Sequence, residues 1–149
     1  MNDLETAPDH ALRQAILRVL SLRTQPGADA TAIAAAALGL YDDLAACLAP
    51  IIGANSVVTM FRRSIYLASH EFSWLERTSR SDPDDPPPAH LRRSLERQSS
   101  AGAADAAVAV LASFGLLLTT FVGTRLTMLL LCEAWPDIVF DNPGKEHST

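Results

Sequence analysis

The residues best suited to chemistry are His70 and Glu71, adjacent in the segment Ala68-Ser69-His70-Glu71-Phe72. An imidazole can attack a phosphoryl group as a nucleophile, and a neighbouring carboxylate can orient the ring and take its proton. Arg62 and Arg63 precede them, with Arg63 two helical turns before His70. A guanidinium pair on one helix is suited to hold an acidic partner or an anionic ligand, and Arg62 is spaced to stack on Tyr66. Plainer expectations stand beside both readings. His70 is expected at the surface, stacked on Trp74 one turn later, and the arginines on a solvated face, paired with Asp42 or Asp43 across a hairpin.

The five residues around His70 resemble the phosphoacceptor segment of sensor histidine kinases. In that family a helical hairpin presents a surface histidine followed by an acidic residue. The resemblance implies His70 as phosphoacceptor and Glu71 as its orienting acid. It ends at Ser73-Trp74-Leu75, where the family has Arg-Thr-Pro. No Gly-rich nucleotide-binding region follows, and the Lys-Gly pattern of stand-alone phosphotransfer modules is also missing.

Other constellations are weak. Tyr41-Asp42-Asp43 is an acidic patch, but neighbours on a helix point apart and form no carboxylate pair. His10, His90 and His147 are isolated, and Glu-x-x-His is absent, so no metal is expected. Cys47 and Cys132, far apart within apolar patterns, read as small buried hydrophobes. No P-loop, dinucleotide fingerprint or nucleophile elbow is present, so neither a cofactor nor a catalytic residue is expected.

Charge excludes some partners. The net charge is −5, and eleven of the twelve basic residues are arginine, leaving Lys145 as the one lysine. A general nucleic-acid binder needs a positive surplus to neutralise phosphates, so none is expected here. Abundant alanine and arginine fit a GC-rich, bacterial genome. Residues 1–9 lack the cationic and apolar regions of a secretory leader, which points to the cytoplasm.

The elements that must position these residues are helices. Hydrophobic residues make up 48% of the 149-residue chain, enough for a sizeable core, and charged residues 19%. A first helix is expected from about Thr6, with Pro8 in its first turn and an apolar stripe of Leu12, Ile16, Val19 and Leu20. Gln25-Pro26-Gly27 should stop it. A second, starting at Asp29 or Thr31, carries Ile33, Ala37, Leu40, Leu44, Cys47 or Leu48, and Ile51, and Pro50 should end or kink it. Gly53 reads as a left-handed stop and Asn55 as the next N-cap. The spacing of Val57 or Val58, Phe61, Ile65, Ala68, Phe72 and Leu75 then predicts a third helix, completing a hairpin over 30–76.

A Pro-rich connector follows over 77–88, then a helix from near Ala89 that Gly102 could interrupt, and a long apolar helix over about 102–122. Gly123 marks a bend, and a last helix runs to Trp135-Pro136. The sum is an all-α chain: about five helices in a mainly antiparallel bundle, one domain over 1–141 and a disordered tail at 142–149. No strand is expected, and no internal repeat beyond helical periodicity.

The run Ala106–Thr124 has no charged residue and is long enough to span a bilayer. Its Ala, Ser and Thr content, and Arg125 directly after it, favour a central bundle helix or a dimer interface instead. The functional expectation is a non-catalytic interaction or regulatory module, such as a bacterial signalling or adaptor protein, with a protein partner and a homodimer formed through this helix. The alternatives are a phosphoacceptor hairpin using His70 and a small membrane-associated protein. A ligand cavity between the helices is neither favoured nor opposed.

Overall fold

In the computed structural model, residues 3–75 and 86–138 are described, with side chains from residue 10 onward. The described residues form six helices: α1 (Asp3–Leu22), α2 (Ala30–Ile52), α3 (Ala54–Ala68), α4 (Pro87–Glu96), α5 (Ser100–Val122) and α6 (Thr124–Ala134). The expected all-α bundle is present, with one helix more than expected. Residues 76–85 and the expected tail at 142–149 lie outside the described residues.

Local chemistry explains most boundaries. Asp29 caps α2 by accepting a hydrogen bond from the Ala32 amide at 2.9 Å. Ser99 caps α5 in the same way, accepting from the Gly102 amide at 3.0 Å. The expected break near Gly102 therefore falls earlier, at 97–99, where α4 ends and α5 begins. Pro87 and Pro88 open α4 instead of belonging to the connector, because a proline in the first turn forfeits no intrahelical bond. Pro50 does not end α2, which runs one further residue pair to Ile52.

Two single-residue turns shape the bundle. Gly53 (φ 93°, ψ 145°) separates α2 from α3, and Gly123 (φ 93°, ψ 160°) separates α5 from α6. Their ψ values take them out of the left-handed helical region expected for Gly53, toward an extended positive-φ region open almost only to glycine. The next helix starts at once, so Asn55 lies inside α3 and Gly53 itself holds the cap position.

The third helix is shorter than its apolar spacing predicts. It stops at Ala68, and the chain turns through 69–75. The His70 amide bonds Leu67 O and the Leu75 amide bonds Phe72 O, both three residues back, which tightens the backbone out of α-helix. Phe72 and Leu75 still reach the core, Leu75 fully and Phe72 in part. They extend the stripe from a turn, so spacing alone cannot separate them from helix.

An internal repeat, not visible in the sequence, emerges from this geometry. The interval from Asp29 to Ser99 equals that from Gly53 to Gly123. The same interval carries the buried residues Val57, Phe61, Ser64, Ile65 and Ala68 onto Thr127, Leu131, Ala134, Trp135 and Ile138, all buried. The helix contacts follow the same exchange. α1 packs on α5 as α4 packs on α2, and α3 packs on α5 as α6 packs on α2. Among the described residues, only the contact of α3 with α4 lacks a counterpart.

α2 and α5 form the centre, and each touches every other helix. Every residue from Ala106 to Ala112 is buried, a stretch of about two turns, so no side of α5 faces outward there. Alanine makes this possible, because a methyl side chain lets neighbouring backbones approach closely. α1 runs antiparallel to α5. Leu12 lies against Gly115, where an added Cβ would come within 2.7 Å of Leu12 Cδ2, and Leu20 shares a cleft with Ser100 and Ala104.

Tyr41, Phe61 and Phe114 join α2, α3 and α5. Tyr41 stacks on Phe61 with ring centroids 3.9 Å apart and meets Phe114 edge-on at 6.2 Å. On the opposite flank Trp135 is fully buried and its Nε1–H donates to Leu40 O at 2.9 Å, tying the end of α6 to the middle of α2.

Candidate docking surface

The residues expected to act together near His70 are divided by the fold. His70 lies on the turn after α3, exposed, with its Nδ1 3.2 Å from Leu67 O. Its ring meets Tyr66 edge-on at 5.2 Å, not Trp74, which pairs with Phe72 instead. Glu71 turns toward α1. Arg13 donates from Nη2 to Oε1 at 2.7 Å and from Nη1 to Oε2 at 3.1 Å. This paired hydrogen bond, with the arginine charge behind it, holds the Glu71 carboxyl below its ordinary range despite partial desolvation. Glu71 is thus oriented by Arg13, and the His70 ring is placed by Tyr66 and a backbone carbonyl.

The arginine pair is also arranged differently from expectation. Arg63 is exposed and Arg62 half-buried on α3, and among the described residues no acid lies within ion-pair distance of either. Asp43, the expected partner, accepts from Arg23 Nη1 at 2.6 Å. The loop between α1 and α2 brings that arginine to the middle of α2, a placement the sequence interval does not reveal.

Enclosed chemistry is sparse. A cleft of about 280 Å³ beside the Arg13–Glu71 pair is lined by His10, Gln14, Phe72 and Asp105. Another, of about 460 Å³, is lined by Ser73, Trp74, Ser94, Arg97 and Gln98. Among the described residues no three His, Cys, Asp or Glu side chains converge as metal ligands. Cys47 is half-buried, and burial, with Glu133 and Asp43 adding to it, pushes its thiol upward, away from thiolate reactivity. Cys132 is exposed, contrary to the expected burial.

The distinctive surface lies where Gly53 and Gly123 turn the chain. Phe121 lines a cleft of about 300 Å³ with Asn55, Ser56, Thr59 and Met60, so the end of α5 lies beside the start of α3. At the other end, Ile33 of α2 and Ser100, Ala101 and Ala104 of α5 line one cleft. α2 and α5 therefore run in the same direction, and both glycine turns lie at one end of the bundle.

That end holds most of the large exposed apolar side chains. Ile51 is 53% exposed, Phe121 61% and Leu129 62%, and Val58 and Leu126 are also exposed. The repeat relates Ile51 to Phe121, each two residues before its glycine. α1 runs antiparallel past Gly115 and carries Asp3, Glu5 and Asp9 toward this end, whereas the stretches that flank the turns bear arginines. Stretches 44–70 and 106–132 contain Arg62, Arg63 and Arg125 and no acidic residue, within a chain whose net charge is −5. Ile51 was expected in the core because it continues the α2 stripe. It is exposed because the stripe extends past the point where neighbouring helices cover it.

α2 and α5 are each long and apolar enough to cross a membrane, although about half of each window is buried inside the chain. No protein-family model, no curated protein and no solved structure matches the chain.

Proposed function

We propose that this chain is a non-catalytic helical interaction module that engages its partner through the end where Gly53 and Gly123 turn the chain. One observation carries this reading: Ile51, Phe121, Leu126 and Leu129 are exposed at the same end of the bundle. Large exposed apolar side chains gathered in one place mark interaction sites, whereas single ones scattered over a surface do not. A homodimer through the long apolar helix would use its exposed end at Phe121, since α5 is covered within one chain at Ala106–Ala112. Self-association would use the same glycine-turn end.

The test places a photo-crosslinking amino acid at position 121 or 129 of the intact chain in living cells, with position 22 as control. Leu22 is 64% exposed on α1, at the far end. Adducts formed from 121 and 129 but not from 22 are expected, and a dimer band would identify a second copy as the partner. Equal adducts from all three positions, or none from 121 and 129, would overturn the proposal.

A further inference from the structure

We infer that α2 carries a second docking surface, the open face around Gly39 and Asp42, and that it receives a basic amphipathic helix of a partner protein, laid antiparallel along α2. This surface is separate from the glycine-turn end, since Asp42 stands roughly 16 Å along α2 from Gly53.

The repeat supplies the first support, because it shows how the equivalent face of α5 is covered. α1 lies antiparallel on that face, with Leu12 against Gly115, and the turn after α3 brings Phe72 beside Asp105 and Val108. Ala109 and Ala112 are fully buried there. α4 is the counterpart of α1, but it starts at Pro87, which the repeat relates to Leu17. Residues 3–16 of α1 therefore have no helical counterpart among the described residues. The counterparts of Ala109, Ala112 and Leu116 are Gly39, Asp42 and Ala46. Gly39 is half-buried, and Asp42 and Ala46 are exposed. One helix position is thus filled on α5 and open on α2.

Gly39 is the second support. Its φ is not positive, and an added Cβ would meet nothing within 4 Å. Glycine weakens a helix interior relative to alanine, and Ala36, Ala37, Ala45 and Ala46 stand around it. No contact among the described residues requires a glycine there. A docked helix does, by seating a side chain over it, as α1 seats Leu12 over Gly115.

Charge is the third support and sets the chemistry of the occupant. Among the described residues Asp42 makes no ion pair. Arginines on the bordering elements are engaged, Arg23 by Asp43 and Arg92 by Glu96, and Arg93 has a contact of its own. Glu133 of α6 adds negative charge, near enough to Cys47 to push its thiol upward. A lysine or arginine on the arriving helix supplies the missing partner of Asp42. Because the two helices are antiparallel, that cation lies three or four residues before the side chain seated over Gly39.

The experiment pans a displayed library of helices, each about twenty residues long, on the intact chain, with apolar positions fixed at helical spacing and the others varied. Enriched peptides should carry a lysine or arginine three or four residues before an aliphatic position. Their affinity should fall at least about ten-fold on Gly39→Leu, which fills the open face. Asp42→Lys should turn the enrichment from basic to acidic peptides. Gly39→Leu should leave the denaturant midpoint of the chain unchanged or raise it, because its side chain meets open space. A clearly lowered midpoint would show the face to be packed within the chain, and overturns the assignment. So does a failure to enrich, enrichment without a basic preference, or equal binding to wild type and Gly39→Leu. Binding abolished by Phe121→Asp with Leu129→Asp but kept by Gly39→Leu also overturns it, and moves the helix to the glycine-turn end. A stable dimer in light scattering that Gly39→Leu dissociates overturns the separate partner and puts a second copy on α2.

Discussion

At the scale of single residues, one contact redirects the most chemistry-like pair. Glu71 follows His70 in the chain, yet its carboxylate is engaged by Arg13, brought in from α1. Glu71 is half exposed, so the ion pair is worth only about 0.2–1 kcal/mol. Glu71→Gln should lower the Tm by about 1–3 °C near neutral pH. Because the folded carboxyl is shifted downward, this contribution is complete above the unfolded value of about 4.3 and is lost as pH falls through the lower folded value. Thermal melts of wild type and variant should therefore converge in acid. A gap of unchanged size at low pH would show that the substitution acts through packing.

At the scale of elements, the two glycine turns place four helices. Each takes a backbone conformation that other residues reach only with strain, and nothing lies within 4 Å of an added Cβ at either position. The cost of Gly53→Ala or Gly123→Ala is thus conformational and not steric. Each should destabilise the fold by about 1–3 kcal/mol, read as a lower denaturant midpoint. The repeat requires the two effects to be similar. A neutral result at one position and a large one at the other would show that the two turns are not equivalent. The helices themselves were legible beforehand: the start at Asp29 or Thr31, the stop at Gly53, the bend at Gly123, and the stripe from Val57 to Ala68 are signals within a few residues. The end of α3 was not legible, because Phe72 and Leu75 keep helical spacing while lying on a turn.

At the scale of the whole molecule, the Tyr41–Phe61–Phe114 cluster joins three helices, and its one ionisable group reports on their packing. Burial, with Asp42 beside it, pushes the Tyr41 hydroxyl up to about 12. The unfolded chain ionises near 10, so stability is unaffected below that value and declines as pH rises from about 10 to about 12. The loss should total about 2–3 kcal/mol. Denaturant unfolding across this range should show a steeper alkaline decline for wild type than for Tyr41→Phe. Identical declines would mean that the phenol ionises without opposition from the fold. The glycine-turn surface also belongs to this scale, since it combines residues of two halves that no stretch of sequence joins.

The helical class, most helix starts and stops, and the central place of the Val108–Leu118 stretch can be read along the chain. These follow from rules acting over one to five residues: apolar period, caps, proline's missing donor and glycine's free φ. Packing between distant segments assigns Glu71 to Arg13 and Asp43 to Arg23, sets α2 and α5 side by side in one direction, and leaves Ile51 and Phe121 outside. The repeat belongs there too. It preserves burial and turn geometry with few identical residues, Ala37 with Ala107, Leu48 with Leu118 and Gly53 with Gly123 among them. A helical stripe shows which side of a helix must be covered, but not by which neighbour or how far toward its end, and those are set by contacts between residues distant in the chain.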